Sequence, residues 1–341
     1  MISWFFGAFF LSMVATVVVR SVAIRFGIVD RPTGGRKIHA KAIPLLGGLA
    51  IFLAIAATVD VLLLRTDLLT GGDISVRHYV GFLLGGTVLM VGGFLDDKLN
   101  LSAKFAIVAP VIAAVIVIAL GIEITKLTNP FGGVILLEHW QSNVIVFVWL
   151  MVVMYTTKFL DGLDGLATGV SSIGTLMVLL LASTAAYFQP DVAAFATVCL
   201  GAMLGFLAFN FHPAKIFLGE GGSTFVGFIV GTLAVISGGK LATALLVLAI
   251  PMLDVVWIMV RRFRAGGLSQ VFKGDRKHLH HRLLDRGWTQ TQIVAAYYLV
   301  AIVFGCSALF LQSREKLIAL AAIVALMLVV AIVLSKQDKP V

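Results

Sequence analysis

The chain has 341 residues, 60% of them hydrophobic and only 13% charged, with a mean hydropathy of +1.05. Soluble domains carry about 25% charged residues, so a soluble fold is excluded. The apolar runs are continuous rather than alternating over the roughly 10-residue segments of a membrane barrel, which predicts an all-α polytopic membrane protein whose net charge of +9 reflects loops facing anionic lipid or substrate rather than nucleic acid.

At about 20 apolar residues per crossing, eleven spans are predicted near residues 1–25, 44–64, 78–95, 103–120, 143–158, 165–186, 192–209, 222–237, 241–260, 291–311 and 317–335. The first lacks a basic leading segment and a small-residue cleavage site, so it is taken as a retained span rather than a signal peptide. Of the 26 Lys and Arg, nineteen fall on one set of loops, six on the other and Arg20 within the first span. Basic loops mark the cytoplasm, which puts the N-terminus outside, the C-terminus inside and the chain in the plasma (inner) membrane. No repeat or low-complexity tract divides it, so residues 1–341 are treated as one domain. Cys199 and Cys306 lie in apolar runs without a close partner and are read as small hydrophobes.

In chain order, the loop Asp30-Arg-Pro-Thr-Gly-Gly-Arg-Lys37-Ile-His39-Ala-Lys41 comes first. Lys37, His39 and Lys41 suit a phosphate, although anchoring of a cytoplasmic loop explains the charges almost as well. Next, Asp96 and Asp97 join the third and fourth spans; adjacent carboxylates point apart, so one can bind a cation while the other orients or deprotonates a phosphate nucleophile. Residues 122–140 read as a small outer β-hairpin without chemistry. In Lys158-Phe-Leu-Asp161-Gly-Leu-Asp164-Gly, the aspartates are spaced to share a helical face or a helix start, and the glycines admit a phosphate or ion close to the backbone.

The segment Asn210-Phe-His-Pro-Ala-Lys-Ile-Phe-Leu-Gly-Glu220-Gly-Gly-Ser223 ends in a glycine-rich turn that feeds a helix. Its backbone N–H groups suit an anion and Glu220 offers a hard oxygen. The Gly-Lys-Ser/Thr ending of a P-loop is missing, which argues against an ATPase. Last, the cytoplasmic loop 261–290 carries His278-Leu-His280-His281-Arg282 among Arg and Lys. No nearby Cys completes a zinc site, and this surrounding favours the pyrophosphate of a nucleotide sugar, with anionic lipid as the plainer alternative.

Together these five stretches resemble the polyprenyl-phosphate N-acetylhexosamine-1-phosphate transferases through nearly the whole chain, and the eleven spans and His-x-His-His-Arg-Leu-Leu form look more like the branch that transfers GlcNAc-1-phosphate. The resemblance implies transfer of a sugar-1-phosphate from a UDP-sugar to polyprenyl (undecaprenyl) phosphate, with release of UMP and with Mg2+ or Mn2+ as cofactor, at the start of envelope glycan synthesis. A phospho-MurNAc-pentapeptide substrate is the runner-up. By the same resemblance, Asp96 and Asp97 match aspartates at the lipid phosphate, Asp161 and Asp164 those at nucleotide and metal, and Glu220 a metal ligand. Asn210, His278, His280 and His281, with Lys41 and Arg282, fall on the substrate side, and a homodimer is left open.

Two positions depart from the family pattern. Glu220 stands where the family has Asp in Gly-Asp-x-Gly-Ser, and Lys158 stands where it has Asn three residues before the first aspartate. Direct attack by the lipid phosphate and passage through a phosphorylated Asp97 both fit the residues. Rival readings are a transporter, with Asp254 as its membrane-embedded carboxylate, a CDP-alcohol phosphotransferase and a weakened paralogue.

Overall fold

The computed structural model describes residues 1–32, 41–129, 131–238, 240–266 and 278–336. Lys37 and His39, and the stretch 267–277 of the basic loop, lie outside them. The helices are α1 Ile2–Arg25, α2 Gly47–Arg65, α3 Val76–Leu99, α4 Ala103–Ala106, α5 Val108–Ala119, α6 His139–Leu160, α7 Leu166–Ala182, α8 Pro190–Asn210, α9 Gly219–Ile236, α10 Leu241–Val247, α11 Ala249–Gly266, α12 Leu279–Leu284, α13 Gln290–Phe310 and α14 Ser313–Lys336. Two small antiparallel pairs accompany them: β1 Val29–Asp30 with β2 Ile43–Pro44, and β3 Lys126–Thr128 with β4 Val134–Leu136.

Each of the eleven predicted segments is helical, and the chain is an all-α polytopic membrane protein. Among the described residues, seven helices are long and apolar enough to cross a membrane, and an eighth is if α10 and α11 are counted together. That pair covers the crossing expected at 241–260 and bends by 77° at Leu248. Pro251, one turn further on, has no N–H to return to the Val247 carbonyl and its ring crowds that group, so the helix breaks there.

Packing is organised around α8 and α9, both almost wholly buried. Lipid tails are as apolar as leucine, so close backbone approach rather than water exclusion drives helix association in a membrane. Gly201 and Gly205 of α8 lie against the Phe5 and Phe9 carbonyls of α1, where a Cβ would overlap them. On the far side of α9, Phe82 of α3 stacks on Phe228 with ring centroids 5.2 Å apart and meets Phe195 of α8 edge-on at 4.9 Å. This aromatic layer sets α3 and α9 side by side.

Candidate active site

The site begins with glycines. A Cβ on Gly93 of α3 would overlap Gly221, and one on Gly48 of α2 would overlap Gly222, so the first turn of α9 is clamped between two backbones. The approach to α9 is tied to the start of α2 as well: Phe217 N–H donates to the Pro44 carbonyl at 2.8 Å, and Gly47 and Gly48 N–H donate to the Phe217 and Leu218 carbonyls at 2.9 Å. One turn beyond Gly93, Asp97 therefore meets the N-terminus of α9, where its Oδ1 accepts the Glu220 N–H at 3.0 Å. A carboxylate there satisfies a donor that has no partner within the helix and meets the positive end of the helix dipole. Gly219, at φ +76°, makes the turn, and a side chain there would strike Asp97.

Asp96 Oδ1 accepts the Leu101 N–H at 3.0 Å. Its other oxygen lies 3.8 Å from Lys158 Nζ, and Lys158 in turn lies 2.7 Å from Glu220 Oε2. Lys158 is 20% exposed and Asp96 13%, while Glu220 keeps 44%. These three groups line one shallow cleft together with Leu89, Gly92, Gly93, Ala106, Ala109, Pro110, Gly221 and Thr224. The cleft thus sets three charged groups beside the apolar side chains of α3, α4 and α5.

The Asp161–Asp164 turn follows α6. Asp164 Oδ2 accepts from His212 Nδ1 at 2.7 Å and from Ala214 N–H at 3.1 Å. Asn210 is buried and used within the protein: its Oδ1 accepts from Thr168 Oγ1 at 3.1 Å and its Nδ2 donates to the Ile216 carbonyl at 3.0 Å, which shapes the loop leading to Glu220. Asp161 differs from both. Its backbone N–H donates to the Thr157 carbonyl at 3.1 Å, but its carboxyl has no hydrogen-bond or ion-pair partner among the described residues, and burial first, then the charges of Glu220, Asp97 and Asp164, pushes that carboxyl up to about 8.

The histidines close over this turn. His278 caps α12, with its Nδ1 2.8 Å from Asp254 Oδ2, and the Leu279 N–H donates to Asp254 Oδ1 at 3.0 Å. Its ring stacks on Phe159 of α6 at 5.7 Å and on His280 at 5.7 Å, and His280 meets His281 at 4.3 Å. A Cβ on Gly162 would overlap the His280 ring, so this glycine lets the imidazole lie on the Asp161–Asp164 turn. All three histidines are buried. Burial, with His281 and His278 beside it, holds His280 well below the usual imidazole range, so it is neutral. Lys41 is exposed two residues before β2, and Arg282 is half-buried within α12.

The structure therefore brings Asp96, Asp97, Asp161, Asp164, Glu220 and the three histidines to one end of the helix bundle. It adds four residues to which the sequence reading gave no such role: Asp254, Phe159, His212 and Tyr298, whose hydroxyl donates to the Gly165 carbonyl at 2.6 Å at the start of α7. Asp254, a carboxylate three residues after a proline in an apolar helix, was legible as unusual, but its partner was not.

The set Glu220, Asp164 and Asp161 expected for Mg2+ or Mn2+ is not arranged as one. Glu220 is held by an ammonium and Asp164 by an imidazole and an amide. Among the described residues, no three His, Cys, Asp or Glu side chains are grouped to hold an ion. As they stand, these residues do not fit the divalent site that the resemblance implies.

Residues 79–238 match the family described as "Glycosyl transferase family 4". The chain is 30% identical over 307 residues to the probable undecaprenyl-phosphate N-acetylglucosaminyl 1-phosphate transferase of Bacillus subtilis, covering 88% of this chain and 82% of the relative. It is 34% identical over 331 residues to the decaprenyl-phosphate N-acetylglucosaminephosphotransferase of Mycobacterium tuberculosis, covering 88% and 80%. It is 30% identical over 311 residues to the undecaprenyl-phosphate alpha-N-acetylglucosaminyl 1-phosphate transferase of Salmonella typhi, covering 86% and 79%. With its motif loops gathered at one end of the helix bundle and relatives aligned along most of its length, the chain belongs to glycosyl transferase family 4, as polyprenyl-phosphate N-acetylglucosamine-1-phosphate transferases do.

Proposed function

We propose that this protein transfers GlcNAc-1-phosphate from a UDP-sugar to a polyprenyl phosphate and releases UMP, as the first step of an envelope glycan. The observation that carries this reading is the cleft, where Lys158, Asp96 and Glu220 adjoin Leu89, Ala106, Ala109 and Pro110, an arrangement that suits a phosphate attached to an isoprenoid. The relatives' names supply the sugar and the lipid class.

In this reading the lipid enters sideways along Leu89, Ala106, Ala109 and Pro110, and Lys158 meets its phosphate. Asp97 takes the remaining phosphate proton, and the lipid phosphate oxygen attacks the β-phosphorus of the UDP-sugar. The new P–O bond forms as the bond from the β-phosphorus to the bridging oxygen breaks, and UMP leaves with that oxygen. The turn at Asp161 and the overlying histidine helix form the nucleotide side, with the histidines acting through their packing on the turn. We place eleven crossings, an outer N-terminus and a cytoplasmic active site, supported by the nineteen basic residues on the loops of one side.

The test is UMP release by purified protein from a panel of UDP-sugars with undecaprenyl phosphate. UDP-GlcNAc is expected to be the best donor, and release that does not depend on the lipid phosphate would overturn the reading.

A further inference from the structure

The two positions at which this chain departs from the family pattern, Lys158 and Glu220, touch each other. The ammonium of Lys158 sits 2.7 Å from Glu220 Oε2 and 3.8 Å from Asp96 Oδ2. Their meeting is set by the contact between α6 and α9 below them. Trp149 Nε1 of α6 donates to the Gly231 carbonyl of α9 at 3.0 Å, and Gly227 packs directly on Thr157, the residue before Lys158. This register would face position 158 toward the first turn of α9 whatever residue it held.

Relative to the family pattern, the pair of changes adds one fixed positive charge and lengthens the carboxylate by one methylene, which lets it reach that charge. A carboxylate whose oxygen is already held by an ammonium is a poor ligand for a divalent ion. The ion would have to displace the ammonium or lie beside a like charge in a partly covered site.

We propose that Lys158 is the resident cation of this site: its ammonium, seated between Glu220 and Asp96, takes the place of a divalent ion at Glu220, so that Glu220 is not a metal ligand in this chain. The role assigned to Lys158 at the lipid phosphate rests on the transferase reading; the ion-binding claim does not.

The experiment is titration of purified detergent-solubilised protein with Mn2+ alone, following free Mn2+ by electron paramagnetic resonance. The expected result is weak binding by the wild type, binding at least tenfold tighter in Lys158→Asn, and loss of that gain in the Lys158→Asn, Glu220→Gln double variant. Lys158→Arg, which keeps the charge, should bind as weakly as the wild type and shows that the position can be changed without loss of fold. Wild-type binding that Glu220→Gln weakens tenfold, or no tightening in a folded Lys158→Asn protein, would overturn the proposal. UMP release measured in parallel separates the two claims. Failure of every UDP-sugar to yield UMP sinks the transferase reading, while the Mn2+ titration, which needs no turnover, still decides the role of Lys158.

Discussion

The two halves of the site are balanced in different ways. Around the start of α9, every carboxylate has a partner from the protein itself: Asp96 has the Leu101 amide and Lys158, Asp97 has the Glu220 amide, and Glu220 has Lys158. Around the turn after α6, Asp164 is held by His212 and Ala214, but the Asp161 carboxyl is half-buried near Glu220, Asp97 and Asp164 with no partner among the described residues. Burial raises carboxyls in both halves, Asp97 to about 7 and Asp161 to about 8, but Asp97 keeps the Glu220 amide, whereas the Asp161 carboxyl stays protonated near neutral pH and an incoming cation would draw it into its charged form. A site divided in this way can hold the acceptor phosphate rigidly and leave the donor side to be completed by its ligand.

The comparison breaks most sharply at Asp97. Asp97→Asn keeps the shape and the Glu220 amide contact but removes the base, and should lower kcat for UMP release by about 10²- to 10⁴-fold while leaving the melting temperature within a few degrees. Equal activity would remove Asp97 from the reaction. Gly221→Val attacks the same half through packing: the added side chain meets the Leu89 carbonyl and Gly93, and overpacking of this kind costs about 1–3 kcal/mol. It should lower thermal stability in detergent and abolish activity together.

On the other side, Asp254→Ala removes the acceptor for the His278 ring and the Leu279 amide. Buried donors left unpaired cost about 1–3 kcal/mol, and protease sensitivity should rise first around α12, a pattern that mass spectrometry of limited digests would resolve. An unchanged digest would show that Phe159 and Gly162 suffice to seat the histidine helix.

The smallest effect sharpens the contrast. The Asp161 carboxyl is raised in the folded protein, so folding is favoured below the unfolded value near 3.8 and that advantage is lost as pH rises toward about 8. Asp161→Asn removes the penalty, so its melting temperature should exceed the wild type by a few degrees at pH 8 and by little at pH 5, even as activity falls. Parallel melting curves at both pH values would deny that the Asp161 carboxyl is raised.

Much of this was readable before any fold was known. The eleven apolar segments all became helices, and the carboxylates and histidines were singled out from loops bordering them. The bend at Leu248 was missed because apolarity continues through Pro251 while the backbone hydrogen bond does not. Lys158 and Glu220 stood out separately as departures, yet nothing along the chain said that one answers the other.

The sequence by itself determined the membrane class, the helical segments and the loops that carry charge, because run length, composition and spacing are local properties of the chain. The tertiary structure settled which side chains meet: Lys158 with Glu220 and Asp96, His278 with Asp254, His212 with Asp164, and the Asp161 carboxyl with none among the described residues. Those partners come from different helices and loops, and their meeting depends on how closely the glycines of α2, α3 and α9 let backbones approach, a distance that exists only once the helices have packed.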